Sequence, residues 1–421
     1  MSQSSLLQAF SSLWSDLFSS PVHLDSAISK RPRHQKSLLA QIAPPVLLRP
    51  ASTAQQLGVG IPMGEPWTLD GAAKAKWRPA TLMAERLHSG MSQGLPTADP
   101  LNEDFPPAMI EAWEKDFGKE VAKNLVRELG REAPMSLRAV RKTGAKELLE
   151  GMSSGSRLPV KAELSDISPL GIRFAGYAPV MSSDWGSGWH EQGAFEIQDE
   201  GSQLMAFFAL WPELFAEYLT KEPGPVVRGK KKVPTLPVEV PAWTIIDACA
   251  GAGGKSLAIA DALRGKGRVY AYDTSPKKLQ ALRRRATRAG VTNIQSVVLK
   301  EGDEATSLNR FKKSANVVLV DAPCTGWGVL RRNPDIKWRQ GTDSLERMPE
   351  IQNRLLSLYS ALVAPGGRLV FGVCTFRKAE TKDVVETFLA KHPEFKAVQG
   401  GYLGPGPCDG FFMQAFERSK D

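Results

Sequence analysis

Apolar residues recur along this chain with two different periods, and the change of period marks its organisation. In residues 1–104 short apolar stretches such as 37–42 are broken by Ser, Pro, Ala and Gly. That pattern predicts a helical or irregular N-terminal extension. Leu6, Leu7, Phe10, Leu13 and Trp14 at its start fit one face of a short amphipathic helix rather than a signal peptide. Behind Pro106 and Pro107, the residues Met109, Ile110, Trp113 and Phe117 predict a helix. After Gly118, Val121, Leu125, Val126 and Leu129 predict a second one ending at Gly130. Residues 134–190 alternate strand-like pieces with turns, so 105–190 reads as a small α+β module. Residues 219–242 carry Pro223, Pro225, Pro234, Pro237 and Pro241 around the basic cluster 228–232, a surface loop or linker.

From Trp243 onward, strands and helices alternate. Apolar runs predict strands at 244–248, 268–272, 293–299, 316–320 and 368–373. Helical spacing predicts helices at 255–263 and 276–289, and a third through Ile351, Leu355, Leu358 and Leu362 that stops at Pro365-Gly366-Gly367. This order predicts an α/β fold, a Rossmann-like parallel sheet with helices on both faces. Such sheets bind ligands at the carboxyl ends of their strands.

At 421 residues the chain has room for two or three domains. Fifty-four Lys and Arg against 45 Asp and Glu leave a net charge of +9, which favours a polyanionic partner without specifying one. Four cysteines are too scattered for a disulfide framework, and no CxxC or histidine spacing suggests a metal site. No apolar run reaches the roughly 18–20 residues of a membrane span. The expectation is a cytoplasmic, metal-free monomer with no membrane association.

The turn Asp247-Ala-Cys-Ala-Gly-Ala-Gly-Gly-Lys-Ser256 joins the first strand of the sheet to its first helix. A phosphate-cradling P-loop needs glycine where Cys249 stands, and the dinucleotide fingerprint needs one where Ser256 stands. Asp273 ends the next strand and suits a ribose diol, while Asp303, after the third, could accept from an adenine amino group. The glycine turn with acids at consecutive strand ends predicts a nucleoside ligand without a phosphate cradle, which S-adenosylmethionine fits.

Asp321-Ala-Pro-Cys324 follows the fourth strand and Val373-Cys374 ends the fifth, so two thiols and a carboxylate fall at neighbouring strand ends. Carbon 5 of cytosine is a poor nucleophile until a thiolate adds at carbon 6 and makes the ring an enamine. A carboxyl group at the ring nitrogen stabilises the charge of that addition. The thiolate needs positive charge nearby, for which Arg331, Arg332 and Arg377 are candidates. The basic, aromatic stretch 331–339 suits a flipped base approached through its phosphates. Cys249 and Cys408 read better as packing residues. The basic helix 276–289 reads better as a solvated face than as an RNA contact.

Residues 105–416 resemble the RsmB/NSUN (Sun) family of RNA cytosine-5 methyltransferases, most specifically in DAPCTGWGVLRRNPDIKWR at 321–339. Further matches are Gln198-Asp-Glu-Gly-Ser202, the stretch from Pro134 to Arg138, and Asp409-Gly-Phe-Phe412. The resemblance implies a methyltransferase domain over 191–421 with an antiparallel last strand, and an RNA-binding role for 105–190. It implies that Cys374 is the nucleophile, that Asp321 contacts the cytosine beside the cofactor, and that Cys324 assists product release. It also implies that Cys249, Ala250, Gly251, Ala252, Gly253, Gly254, Lys255, Asp273 and Asp303 bind S-adenosylmethionine. The implied partner is RNA, ribosomal RNA ahead of transfer RNA. Ala252 replaces a usual proline, Val373 a usual threonine, and Glu380-Thr-Lys382 the family's Glu-Asn-Glu. Two rival readings remain: a DNA cytosine-5 methyltransferase, in which the Pro-Cys thiol is the nucleophile, and an inactive RNA-binding assembly factor on the same scaffold.

Overall fold

The computed structural model describes residues 102–420 except 155–157, 159, 177, 179, 226–232, 301–303 and 340–341, together with 24–32 and scattered positions elsewhere before 102. Asp303, the basic cluster 228–232 and most of the predicted extension 1–104 lie outside the described residues. The chain divides into two compact units. One comprises Met1–Ala133 with Thr325–Arg347, the other Pro134–Cys324 with Met348–Asp421.

In the first unit, helices α1 (Pro107–Phe117) and α2 (Lys119–Leu129) form where the apolar spacing predicts, with Gly118 between them. Gly118 adopts φ +84°, a backbone region that favours glycine, and so breaks the helix. Trp113 is fully buried, edge-on to Phe105 and to Trp327 at 5.8 Å each. Lys337 is buried as well; its Nζ donates to the carbonyls of Leu48 and of Asp104, the latter at 2.8 Å, and lies 4.1 Å from the Phe105 ring centroid. Within the basic stretch 331–339, Lys337 thus has its ammonium satisfied inside the unit, and Arg331 is also buried.

The second unit holds two sheets. The smaller is antiparallel, in the order β2-β3-β1-β4, from β1 (Met135–Ala139), β2 (Ala162–Leu164), β3 (Gly171–Phe174) and β4 (Phe195–Ile197). Helix α3 (Ala145–Ser154) covers it through Ala145, Leu148 and Met152. The larger sheet has seven strands in the order β10-β11-β9-β8-β5-β6-β7. Its parallel strands are β5 (Thr244–Asp247), β6 (Arg268–Asp273), β7 (Ile294–Val298), β8 (Ala315–Asp321) and β9 (Val363–Val373). The last two strands, β10 (Phe395–Leu403) and β11 (Phe411–Arg418), run antiparallel, with β11 inserted between β9 and β10. The predicted α/β class, the parallel sheet and its antiparallel final strand are all present.

Helix α4 (Glu200–Leu210) is apolar around most of its circumference, with Leu204 to Leu210 all buried. Such a helix belongs in an interior. It packs on α5 (Gly254–Ala262) and against β8, β9 and β11, and it also touches β1, so one helix ties the small sheet to the large one. The crossovers α5, α6 (Pro276–Arg288) and α7 (Thr342–Ser360) return the chain to the start of each next strand. All of the strand ends that matter chemically therefore open on one edge of the sheet.

Candidate active site

The glycine turn is laid across its neighbouring strands. The Ala248 amide donates to the Leu319 carbonyl and the Ala250 amide to that of Tyr272, both at 2.8 Å. Gly253 has φ +86°, and a Cβ there would stand 2.4 Å from the Leu282 side chain, so α6 presses directly on the turn. Gly251 has φ +56° and faces open space. Asp273, at the end of β6, is pinned by two amides: Gly251 donates to Oδ2 at 2.9 Å and Ser275 to Oδ1 at 2.7 Å. A carboxylate oxygen accepts more than one hydrogen bond, so Asp273 keeps capacity for a diol beside an open cradle. Those features fit the sugar of a nucleoside.

Asp247 is fully buried and accepts from Ser256 Oγ at 2.6 Å. Burial pushes its carboxyl up to about 7. Burial, with Asp321, Asp247 and Asp273 nearby, pushes the Cys249 thiol far above its ordinary range. It stays a neutral thiol, which suits the packing role rather than a nucleophilic one.

Parallel pairing of β8 with β9 sets Asp321 opposite Gly372, two residues before Cys374, and the Ala322 amide donates to the Gly372 carbonyl at 2.9 Å. The two loops converge: Cys324 Sγ and Cys374 Sγ lie 3.4 Å apart, both partly exposed. From the first turn of α5, Lys255 Nζ donates to Asp321 Oδ2 at 2.7 Å. Burial pulls the Lys255 ammonium down, but Asp321, with Cys374 contributing, outweighs it and keeps the lysine protonated. Lys255, Asp321, Cys324 and Cys374 thus form one cluster. Arg377, named from sequence as a source of charge for the thiolate, is paired with Glu380 at 3.0 Å. Lys255 is the cation that sequence reasoning placed only in the cofactor turn. Its signal was available: a side chain in the first turn of a helix leans toward the helix N-terminus, here toward the strand ends.

Gln352 was missed as part of this neighbourhood, and Glu380 was named only within the departure at 380–382. Gln352 Nε2 donates to the Pro323 carbonyl at 2.9 Å and to Glu380 Oε2 at 3.0 Å. The 198–202 motif proves to be a bracing node. Asp199 caps α4 through the Gly201 amide at 2.8 Å and accepts from the Asp409 amide at 3.1 Å. Gln198 accepts from Arg138 at 2.8 Å, and Glu200 pairs with Arg173 at 2.6 Å. On α6, Arg285 and Arg288 pair with Glu196, and Arg285 also donates to the Ala252 carbonyl at 2.7 Å, while Lys277, Lys278, Arg283 and Arg284 are exposed.

Residues 237–405 match the family model described as 16S rRNA methyltransferase RsmB/F. The chain is 28% identical over 322 residues to a probable ribosomal RNA small subunit methyltransferase B of Bacillus subtilis, covering 74% of this chain and 63% of that protein. It is 34% identical over 192 residues to ribosomal RNA small subunit methyltransferase B of Thermus thermophilus, covering 42% of this chain and 46% of that one. The chain thus spans less than two thirds of either relative. Among solved structures, PH0851 is similar with a TM-score of 0.67 at 19% identity, over 98% of this chain and 99% of its own. NSun6 from Pyrococcus horikoshii, solved with SFG, gives 0.58 at 20% identity, over 75% and 99%. Both likenesses are of fold. Among the described residues no helix is long and apolar enough to cross a membrane, and no group of three or more metal-binding side chains converges.

Proposed function

We propose that the chain, whose residues 237–405 match the RsmB/F methyltransferase model, is a member of the RsmB/NSUN (Sun) family and methylates carbon 5 of cytosine in RNA, with Cys374 as covalent nucleophile and ribosomal RNA as substrate. The observation that carries this reading is the 3.4 Å approach of Cys324 to Cys374 beside the Lys255–Asp321 pair. S-adenosylmethionine supplies an electrophilic methyl group on a sulfonium when bound. Its holders are the backbone of Cys249, Ala250, Gly251, Ala252, Gly253 and Gly254, the Lys255 side chain, Asp273 for the ribose and Asp303 for the adenine.

The protein's own part divides among four side chains. Lys255 holds Asp321 in place through its ammonium. Cys374 Sγ bonds to carbon 6 of the extruded cytosine, and the electron pair of the 5,6 double bond becomes available at carbon 5. The Lys255–Asp321 pair lies at the nitrogen edge and passes a proton to ring nitrogen 3, neutralising the charge that the addition places on the ring. After the methyl has moved, a base removes the carbon 5 proton, the double bond re-forms and Cys374 departs as thiolate. Cys324, at van der Waals distance from Cys374, assists that elimination. A DNA-type enzyme would instead use the Pro-Cys thiol, Cys324, to form the adduct.

Bisulfite sequencing of RNA from cells with and without the gene tests the reaction. The expected result is one or a few ribosomal cytosines that lose protection in the deletion strain and regain it on complementation. Identical maps in both strains would remove the proposal.

A further inference from the structure

Two loops from separate strands place their sulfur atoms 3.4 Å apart, and something must hold that spacing. Backbone pairing reaches only as far as Ala322 and Gly372. Beyond those residues a side chain from a third segment links the loop through Pro323 and Cys324 to the loop from Cys374 to Thr381. Gln352, on the crossover helix α7, is fully buried and makes the two hydrogen bonds already described. An amide NH2 has two N–H groups. One goes to the carbonyl of the residue before Cys324, the other to Glu380. The reverse orientation of the amide would aim its oxygen at a carbonyl and a carboxylate, so the network fixes which end is which.

Glu380, also fully buried, passes the constraint on. Its Oε1 accepts from Arg377 Nη1 at 3.0 Å, and its amide donates to the Arg377 carbonyl at 3.0 Å, three residues beyond Cys374. Gln352 does this at a cost: its Oε1 is buried and makes no hydrogen bond. A buried unpaired acceptor is destabilising, and a methionine of similar shape at this position would not carry one.

We infer that Gln352 is a positioning residue that sets the separation of the two thiols, through Pro323 on one side and Glu380 with Arg377 on the other. Its catalytic consequence rests on the function proposed above. Nucleophile attack needs only Cys374, whereas release needs Cys324 in register with it. Loss of the bridge therefore falls on release, and covalent enzyme–RNA complex accumulates.

The test uses a readout that does not depend on methylation. Diamide takes two electrons and two protons from a pair of thiols, becoming the hydrazine as the S–S bond forms. In the full-length protein, peptide mapping follows the disulfide between Cys324 and Cys374. Gln352→Met, similar in shape but lacking both donors, should slow its formation about tenfold, the scale expected for a misplacement of under an ångström. The variant should remain folded by circular dichroism and keep its affinity for S-adenosylmethionine. Gln352→Asn keeps the amide but is shorter by one methylene; it should show the same loss and guards against a folding failure of the first variant. Wild-type oxidation rates in the folded variants would overturn the inference. Slowed oxidation in a protein whose wild type methylates no RNA would uphold the positioning role and discard the proposed reaction.

Discussion

The two halves of the strand-end cleft are built by different means. On the β5–β6 side the chain is held by backbone. Strand carbonyls take the amides of Ala248 and Ala250, and Asp273 takes those of Gly251 and Ser275. On the β8–β9 side the reacting groups are held by side chains from distant segments: Lys255 on Asp321, Gln352 on Pro323 and Glu380, and Arg377 on Glu380. A cradle of amides suits a ligand that only has to sit still. A cluster of long side chains suits a site that forms and breaks a covalent bond, because each partner can be removed without unmaking the strands. Lys255 belongs to both halves, leaving the glycine turn by its backbone and reaching Asp321 by its ammonium.

That comparison predicts its largest effect at Lys255. Lys255→Met removes the charge beside Cys374 and leaves the Asp321 carboxylate without its cation. Methylation should fall about 10²–10³-fold, the scale of losing one preorganised electrostatic partner. Formation of the covalent enzyme–RNA complex should fall alongside it. Unchanged complex formation would separate Lys255 from the thiol half and break the division drawn above.

A second effect, confined to stability and leaving the reaction untouched, belongs to the cradle half. Asp247 is held at about 7 by burial, with Ser256 opposing. A free aspartate titrates near 3.9. The folded state therefore binds the proton more tightly, so this contribution is present in full below about pH 4 and is lost as pH rises to about 7. A displacement of that size corresponds to roughly 4 kcal/mol at most. Asp247→Asn should flatten the stability profile over that window, measured as urea unfolding free energy from pH 4 to 8. An unaltered slope would assign the dependence to other carboxyls.

The cradle half was the more legible in sequence, for a physical reason. Apolar runs of strand length locate β5, β6 and β8, and a glycine turn with an acid at the next strand end is a local pattern. The thiol half was legible as far as its two cysteines and Asp321, which also stand at strand ends. The bracing by Gln352 and Glu380 was not, since nothing in helical spacing says which polar residue of α7 turns inward. The fate of 325–347 was illegible for the same reason. Its basic residues read as an RNA-facing stretch, yet Lys337 spends its ammonium on two buried carbonyls. The end of α7 shows a smaller departure. Leu362 fits the helical stripe, but the helix stops at Ser360, because the Leu362 carbonyl is taken by the amides of Ser314 and Ala315 at the start of β8.

Mapping the covalent complex decides the assignment on which the rest depends. Full-length protein incubated with S-adenosylmethionine and a ribosomal RNA fragment carrying 5-fluorocytosine at the target should form an adduct stable to denaturant, since fluorine blocks the elimination. Mass spectrometry of the digested complex should place the nucleotide on Cys374, and Cys374→Ala should abolish it. A nucleotide attached to Cys324, or an adduct that survives the loss of Cys374, would contradict the account.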